Sequence, residues 1–234
     1  MERLAGVDEI LDGPLEDVAE VAGNLRDLRR VNRLLGGTRL SRLAIERLVP
    51  LDADLNLLDV GTGGADIPVS LLADAARRGR SLRVTAIDSR PEVLEAARVA
   101  RPAVDHVNGL SLAVADGLAL PYPDGAFDVA HSSMVVHHLE RPDAVALLRE
   151  LARVARVGVV LNDLVRGDLY WAGAWLMSHT LTLNRLTRND APLSVRRAFT
   201  RQELRELVGE AGLRIVAEFA GFAGHRVAIA AVRA

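Results

Sequence analysis

The chain has 234 residues and a formal net charge of −2, with 50% hydrophobic and 26% charged residues and no cysteine. This globular composition excludes disorder and fibrous repeats, and so even a charge balance leaves no electrostatic footprint for a polyanion, so nucleic acid is not an expected partner. The missing cysteine rules out disulfides, thiolate metal sites and cysteine nucleophiles. All 29 basic Lys/Arg positions are arginine, which reads as coding bias and solvated surface.

Residues 1–14 carry Glu2, Asp8, Glu9 and Asp12 and lack the basic start and apolar run of a secretory signal, so a cytoplasmic location is expected. Over 15–49, Leu25, Leu28, Val31, Leu34 and Leu35 recur at helical spacing. Gly36 and Gly37 interrupt the pattern, and Leu40, Leu43, Ala44 and Leu48 resume it, which predicts two helices joined at the glycines. Residues 1–55 are expected to form a helical cap on a core spanning 56–234.

From residue 56 the texture changes. Short apolar runs at 57–60, 82–87, 111–114, 127–132 and 157–161 alternate with helical periodicity at 68–78, 92–101 and 143–153. That alternation predicts an α/β fold, a parallel sheet covered on both faces, which binds ligands at the carboxyl ends of its strands. After 161 the pattern breaks. Residues 168–188 read as an aromatic-containing helix, 189–195 as a loop, and 200–211 as a helix opened by a capping box of Thr200 and Glu203. Gly212 ends that helix, and 213–220 with 227–232 predict two final strands joined as an antiparallel hairpin through the turn 221–224. The uncharged stretch 169–184 contains Ser178, His179 and two threonines and falls short of the ~20 apolar residues a membrane span needs, so no stable insertion is expected.

The strongest local signal is the run from Leu57 through Asp59-Val60-Gly61-Thr62-Gly63-Gly64 to Asp66, an apolar strand entering a glycine-rich turn before a helix. There the backbone can approach a ligand closely and helical N–H groups can face an anion. A dinucleotide fingerprint would place a third glycine where Asp66 stands, and Asp59 would repel a pyrophosphate but suit a cationic ligand such as an amino group. Asp88 closes the second apolar run, where a carboxylate can accept two ribose hydroxyls. Asp116, before Gly117, is a third strand-end acid placed to reach an adenine amino group.

With Leu120-Pro121-Tyr122-Pro123-Asp124-Gly125-Ala126-Phe127-Asp128 and His137-His138-Leu139 following in order, the chain resembles a class I S-adenosylmethionine-dependent methyltransferase. Its look is closest to the small-molecule enzymes of quinone and polyketide pathways. The resemblance covers about 56–165 well and implies a Rossmann-like, doubly wound, seven-stranded sheet with an antiparallel last strand. It implies S-adenosylmethionine as cofactor, with Gly61 and Gly63 against the methionyl part, Asp59 near its amino group, Asp88 on the ribose and Asp116 with Gly117 at the adenine. Thr62, Ser89 and Ser132 would complete that wall. The departure lies at Gly64-Ala65-Asp66, where many members carry a glycine at Ala65.

Methyl transfer from a sulfonium is an in-line displacement, so holding donor and acceptor in contact supplies most of the rate. A phenol attacks better as phenolate, and His138, His137 and His179 are the candidate proton acceptors, the first two at the ligand-binding edge. Residues 168–199 are expected to form an acceptor lid. Tyr170, Trp171 and Trp175 would favour a flat apolar acceptor, or make a homodimer contact. Arg30, Asn32 or Arg33 could meet the cofactor carboxylate. No metal site is expected. The expected reaction is therefore methylation of a small aromatic or phenolic molecule, most readily on oxygen. The alternatives are C- or N-methylation, and a non-catalytic ligand-binding protein on the same fold. An NAD-dependent oxidoreductase is disfavoured by Asp59 and the missing glycine, and a DNA amino-methyltransferase because His131-Ser132-Ser133-Met134 is not an Asn-Pro-Pro-Tyr-like run.

Overall fold

The computed structural model describes residues 1–49 and 53–234. Residues 50–52, at the end of the expected cap, lie outside the described residues. Seven strands, β1 (Leu55–Val60), β2 (Leu82–Asp88), β3 (Leu110–Val114), β4 (Phe127–Ser133), β5 (Ala155–Leu164), β6 (Leu213–Ala220) and β7 (Arg226–Arg233), form one sheet in the order β3-β2-β1-β4-β5-β7-β6. β1 to β5 run parallel, and β7 pairs antiparallel with both β5 and β6. The expected seven-stranded α/β architecture and closing antiparallel hairpin are what the chain adopts.

Side-chain alternation along the strands sorts the core into two layers. Leu57, Val84, Val129, Val160 and Ala228 face α2 (Gly37–Leu48) and α3 (Asp66–Arg77). Leu58, Val60, Ile87, Ala130, Leu161 and Ile229 face α5 (Arg141–Val154) and α8 (Arg201–Glu210). α1 (Val18–Leu34) packs Val21, Ala22 and Leu25 against Val93, Ala96 and Ala97 of α4 (Pro91–Ala100) and against Leu186. The two amino-terminal helices join at the glycines as expected, Gly36 taking φ +83°. α2 lies directly on the sheet, with Leu40, Ala44 and Ile45 in the core.

The structure departs from expectation over the lid. In place of one helix over 168–188 and a loop at 189–195, α6 (Asp168–Leu181) ends at Thr182, and α7 (Arg185–Arg197) runs through Asn189, Asp190 and Pro192. Asn and Asp read locally as turn formers, and tertiary bonds override them. Asn184 Oδ1 accepts the Thr187 N–H and starts α7, and Asp190 accepts the backbone N–H groups of Ile10 and Leu11. α7 thereby pins the amino-terminal strap, residues 1–13, across the carboxyl end of the sheet. Arg3 adds donors to the carbonyls of Arg197 and Leu139.

The capping box at α8 is formed as the spacing indicates. Thr200 Oγ1 accepts the Glu203 N–H at 3.2 Å, and Glu203 Oε2 accepts the Thr200 N–H at 2.7 Å. Thr200→Ala should lower stability by about 1 kcal/mol, read from the urea midpoint at unchanged m-value. A midpoint within error of wild type would show that α8 is held by packing alone.

Candidate active site

Towards the carboxyl ends of the strands, the face that packs under α2 changes from apolar to polar. Past Leu57, Val129 and Val160 the next residues on that face are Asp59, His131 and Asn162, and Arg226 stands at the start of β7. All four are buried. His131 Nδ1 lies 2.5 Å from Asp59 Oδ1, and its Nε2 lies 2.8 Å from Ser41 Oγ on α2. Asn162 donates through Nδ2 to Ser41 Oγ and to the Gly37 carbonyl. Arg226 donates to Asn162 Oδ1, Asn32 Oδ1 and Ser133 Oγ at 2.6–2.7 Å. Asn32, on α1, in turn donates to Asp66 at 3.1 Å.

Arg226 is wholly enclosed. Burial pulls its pKa down to about 10, with Asp163 and Asp66 opposing the shift, so it stays charged at neutral pH. Burial lifts Asp66 above the usual carboxylate range despite Asn32 and Arg226. This layer ties the glycine-rich turn to α1, α2 and three strands.

The turn itself is built for close approach. Gly61 has φ +70°, and a Cβ there would collide with Val135 Cγ2; Gly63 has φ +52°. Thr62 N–H donates to the Ile87 carbonyl, while its Oγ1 is sealed from solvent without a hydrogen-bond partner. Asp88 reaches the same turn, accepting from the Gly63 N–H at 3.0 Å and the Arg90 N–H at 3.2 Å. Burial raises the Asp88 pKa, the two backbone bonds oppose it, and the charge on Asp59 adds to the rise. Ala115 N–H donates to the Asp88 carbonyl, placing the third strand end alongside. Asp116 is exposed and accepts the Leu118 N–H within its own turn. A Cβ on Gly117 would lie 2.8 Å from Val60 Cγ1. Ser132 Oγ is buried and donates to the Val60 carbonyl, and Ser89 is exposed beside Asp88. The expected residues therefore gather around the ends of β1, β2 and β3. Asp59 is engaged through Oδ1 by His131. Arg30 pairs with Asp27 at 2.7 Å, and Asn32 serves Asp66 and Arg226.

The second half of the site lies beyond β4. His137, 1% exposed, brings Nδ1 to 2.6 Å from Asp163 Oδ1 and Nε2 to 3.9 Å from Glu9 Oε1. Burial acts to raise the Asp163 pKa, but the His137 contact outweighs it and holds the carboxyl below its usual range. His138 stacks close to His137, with its Nδ1 2.9 Å from Asp12 Oδ1. Glu9 accepts from Ser194 Oγ, and burial pushes it up to about 7 against the lowering pull of His138. The strap thus walls the His137 and His138 corner, a contact that local sequence reading could not supply. His179 stands apart on α6, its ring stacked on Trp175 and Nδ1 2.8 Å from the Trp175 carbonyl. Tyr170 donates to the Ala223 carbonyl, while Trp171 and Trp175 stand on the solvent side of the helix. Two surface clefts, one among Leu55, Leu71 and Leu82 and one among Ala155, Gly158 and Leu213, open at the amino ends of the strands, opposite these motifs.

His131, Ser41, Asn162, Arg226, Glu9 and Asp163 stand in this arrangement with no motif to announce them. Polar pairs closing apolar strands, such as Asn162-Asp163 after 157–161, were the available signal.

Two outcomes follow. Arg226→Met strands three acceptors and removes the charge facing Asp66 and Asp163, and should cost about 3–5 kcal/mol in urea unfolding; a loss below about 1 kcal/mol would show the layer to be dispensable. Because the Asp88 pKa is raised from 3.8 in the folded chain, its contribution is fully present below pH 3.8 and is lost as pH rises through the folded value. Stability of the ligand-free Asp88→Asn variant should therefore fall less than wild type between acid and neutral pH, and parallel pH curves would refute this.

The family model described as a methyltransferase domain matches residues 58–161. The 27-O-demethylrifamycin SV methyltransferase of Amycolatopsis mediterranei is 35% identical over 122 residues, covering 52% of this chain and 42% of that protein. A ubiquinone/menaquinone biosynthesis C-methyltransferase of Citrifermentans bemidjiense is 30% identical over 129 residues, covering 54% and 52%. The chain spans about half the length of the curated relatives it matches. A SAM-dependent methyltransferase from Aquifex aeolicus superposes with a TM-score of 0.64 at 17% identity, over 90% of this chain and 97% of that one, which shows the shared fold. Residues 58–161 thus resemble a methyltransferase domain in sequence, and the chain shares its fold with a SAM-dependent methyltransferase.

Proposed function

We propose that the chain transfers a methyl group from S-adenosylmethionine to a small aromatic acceptor, on oxygen. The observation that carries the reading is the turn at Gly61-Thr62-Gly63. Its close-approach glycines, its buried unpartnered hydroxyl and the carboxylate of Asp88 bonded to its backbone form a cradle with polar atoms left to satisfy. These residues fit the cofactor. Asp88 and Ser89 would take the ribose hydroxyls, Asp116 and Gly117 would flank the adenine, and Thr62 with Ser132 would line the methionyl side. Asp59, steadied by His131, supplies negative charge near the amino group. When bound, the cofactor supplies a methyl carbon on a sulfonium, open to in-line attack.

On the acceptor side, His137 is the best-oriented base. An ionised Asp163 accepts its Nδ1–H and leaves the Nε2 lone pair to take the acceptor's proton. Glu9, opposite Nε2, can share that proton. His138 is the second candidate at the same corner, and His179 serves only from the lid. Tyr170, Trp171 and Trp175 would guide a flat apolar acceptor past α6. The two relatives are named for an O-demethyl substrate and for C-methylation. The choice of oxygen rests on the histidine corner.

Calorimetric titration with S-adenosylhomocysteine should show one site, weakened at least about tenfold in Asp88→Ala, since the lost carboxylate makes charge-assisted hydrogen bonds. Folded protein that does not bind, or an unchanged affinity in the variant, would end the reading. With phenols as acceptors and mass spectrometry of the products, Asp163→Asn should lower the rate about a hundredfold and shift its pH profile. A profile identical to wild type would remove His137 as the base.

A further inference from the structure

Among the α-helices of the described residues α6 is set apart. Among its residues only Ser178 is buried. Leu169, Trp171, Trp175, Leu176 and Leu181 are exposed, and Leu183 beyond its end is 89% exposed. No charged residue lies between Asp168 and Arg185. The apolar surface continues at both ends. The Tyr170 hydroxyl bond to the Ala223 carbonyl sets Phe222, 82% exposed, beside the start of α6. At the other end, Thr182 Oγ1 donates to Asp27 Oδ2 and Asn184 to the Glu20 carbonyl, which brings the turn after α6, with the exposed Leu181 and Leu183, beside α1. The exposed residues of α1 are Ala19, Arg26, Arg29, Arg30, Arg33 and Leu34. Asp27 answers Arg30, and among the described residues none forms an ion pair with Arg26, Arg29 or Arg33. One edge of the molecule thus presents a bare apolar helix bordered by uncompensated guanidinium groups.

A contiguous apolar surface of this kind on a monomer marks an interaction site. We propose that this edge docks on an anionic lipid surface, with α6 lying in the interfacial plane and the α1 arginines against the headgroups. Charge selects the occupant. A second copy packed antiparallel about a two-fold axis on α6 would bring at most one carboxylate, Asp168, already beside the Met1 amino group, to each set of three unpaired arginines. A headgroup layer satisfies both components, apolar chains for the leucines and negative charge for the arginines. Tryptophan is suited to the boundary between them. At 14 residues α6 is about 21 Å long, and no helix of the described residues is long and apolar enough to cross a membrane. The contact is peripheral. It stands independently of methyl transfer and would bring the lid to wherever an apolar acceptor partitions.

Both tryptophans of the chain sit on α6, so their emission reads the contact directly. The test uses the full chain with extruded vesicles of phosphatidylcholine alone or with about one-third phosphatidylglycerol, at low and high salt. Expected results are a blue shift and co-sedimentation with the anionic vesicles, weaker binding at high salt or on phosphatidylcholine alone, and at least a tenfold loss in Leu169→Ser/Leu176→Ser. Arg26→Gln/Arg33→Gln should lose affinity on anionic vesicles with little change on neutral ones. These side chains are exposed, and circular dichroism with a thermal melt confirms that each variant is folded. No binding at low salt, or undiminished binding by the folded leucine variant, overturns the proposal. So does light scattering that shows a stable dimer dispersed by the same leucine changes, which would make a second copy the occupant.

Discussion

The structure depends on one enclosed charge. Arg226 enters the sheet from its last strand, and its guanidinium is held by Asn162, Asn32 and Ser133 with the carboxylates of Asp163 and Asp66 nearby. A cation removed from water is tolerated only where every donor is answered. That requirement fixes the relative positions of β4, β5, β7 and α1. It also accounts for how closely α2 packs on the sheet, contributing Ser41 to the layer and Leu40, Ala44 and Ile45 to the core. The glycine-rich turn at the end of β1 inherits its placement from this layer, through Asp66 on one side and the Asp59, His131 and Ser41 chain on the other.

The two halves of the site obey different physics. On the proposed cofactor side, positive-φ glycines and backbone N–H groups do the shaping, and the carboxylate of Asp88 is kept close to the turn at an electrostatic cost that a bound ligand would offset. On the proposed acceptor side, side chains predominate. Asp163 aligns His137, and the strap delivers Glu9 and Asp12 to the same corner. The pKa of Glu9, raised to about 7, reflects how completely the strap seals that corner.

Much of this was legible in the residues. Apolar runs alternating with helical periodicity identify the sheet and its order of elements, because the inner strands β1, β4 and β5 are buried along most of their length and read as short continuous runs. Asp59, Asp88 and Asp116 stand out as acids at or just past the ends of such runs, Asp59 and Asp116 with a glycine close behind. The errors fell where long-range bonds decide local structure. Asn189, Asp190 and Pro192 look like a loop until Asp190 is seen to receive the N–H groups of Ile10 and Leu11. His131 was passed over because a histidine inside an apolar strand carries no signal of its own. Its partners, Asp59 and Ser41, are 72 and 90 positions away in the chain. Glu9 was invisible for the same reason, since nothing near residue 9 hints that it will face His137.

The wall of the acceptor corner is made by the first thirteen residues of this chain rather than by a loop between strands, and it is fastened to α7 through Asp190 and Arg197. A wall that lies outside the strand order can be rewritten without shifting the register of any strand. What such a corner would admit can therefore change while the glycine-rich turn at the end of β1 keeps its place.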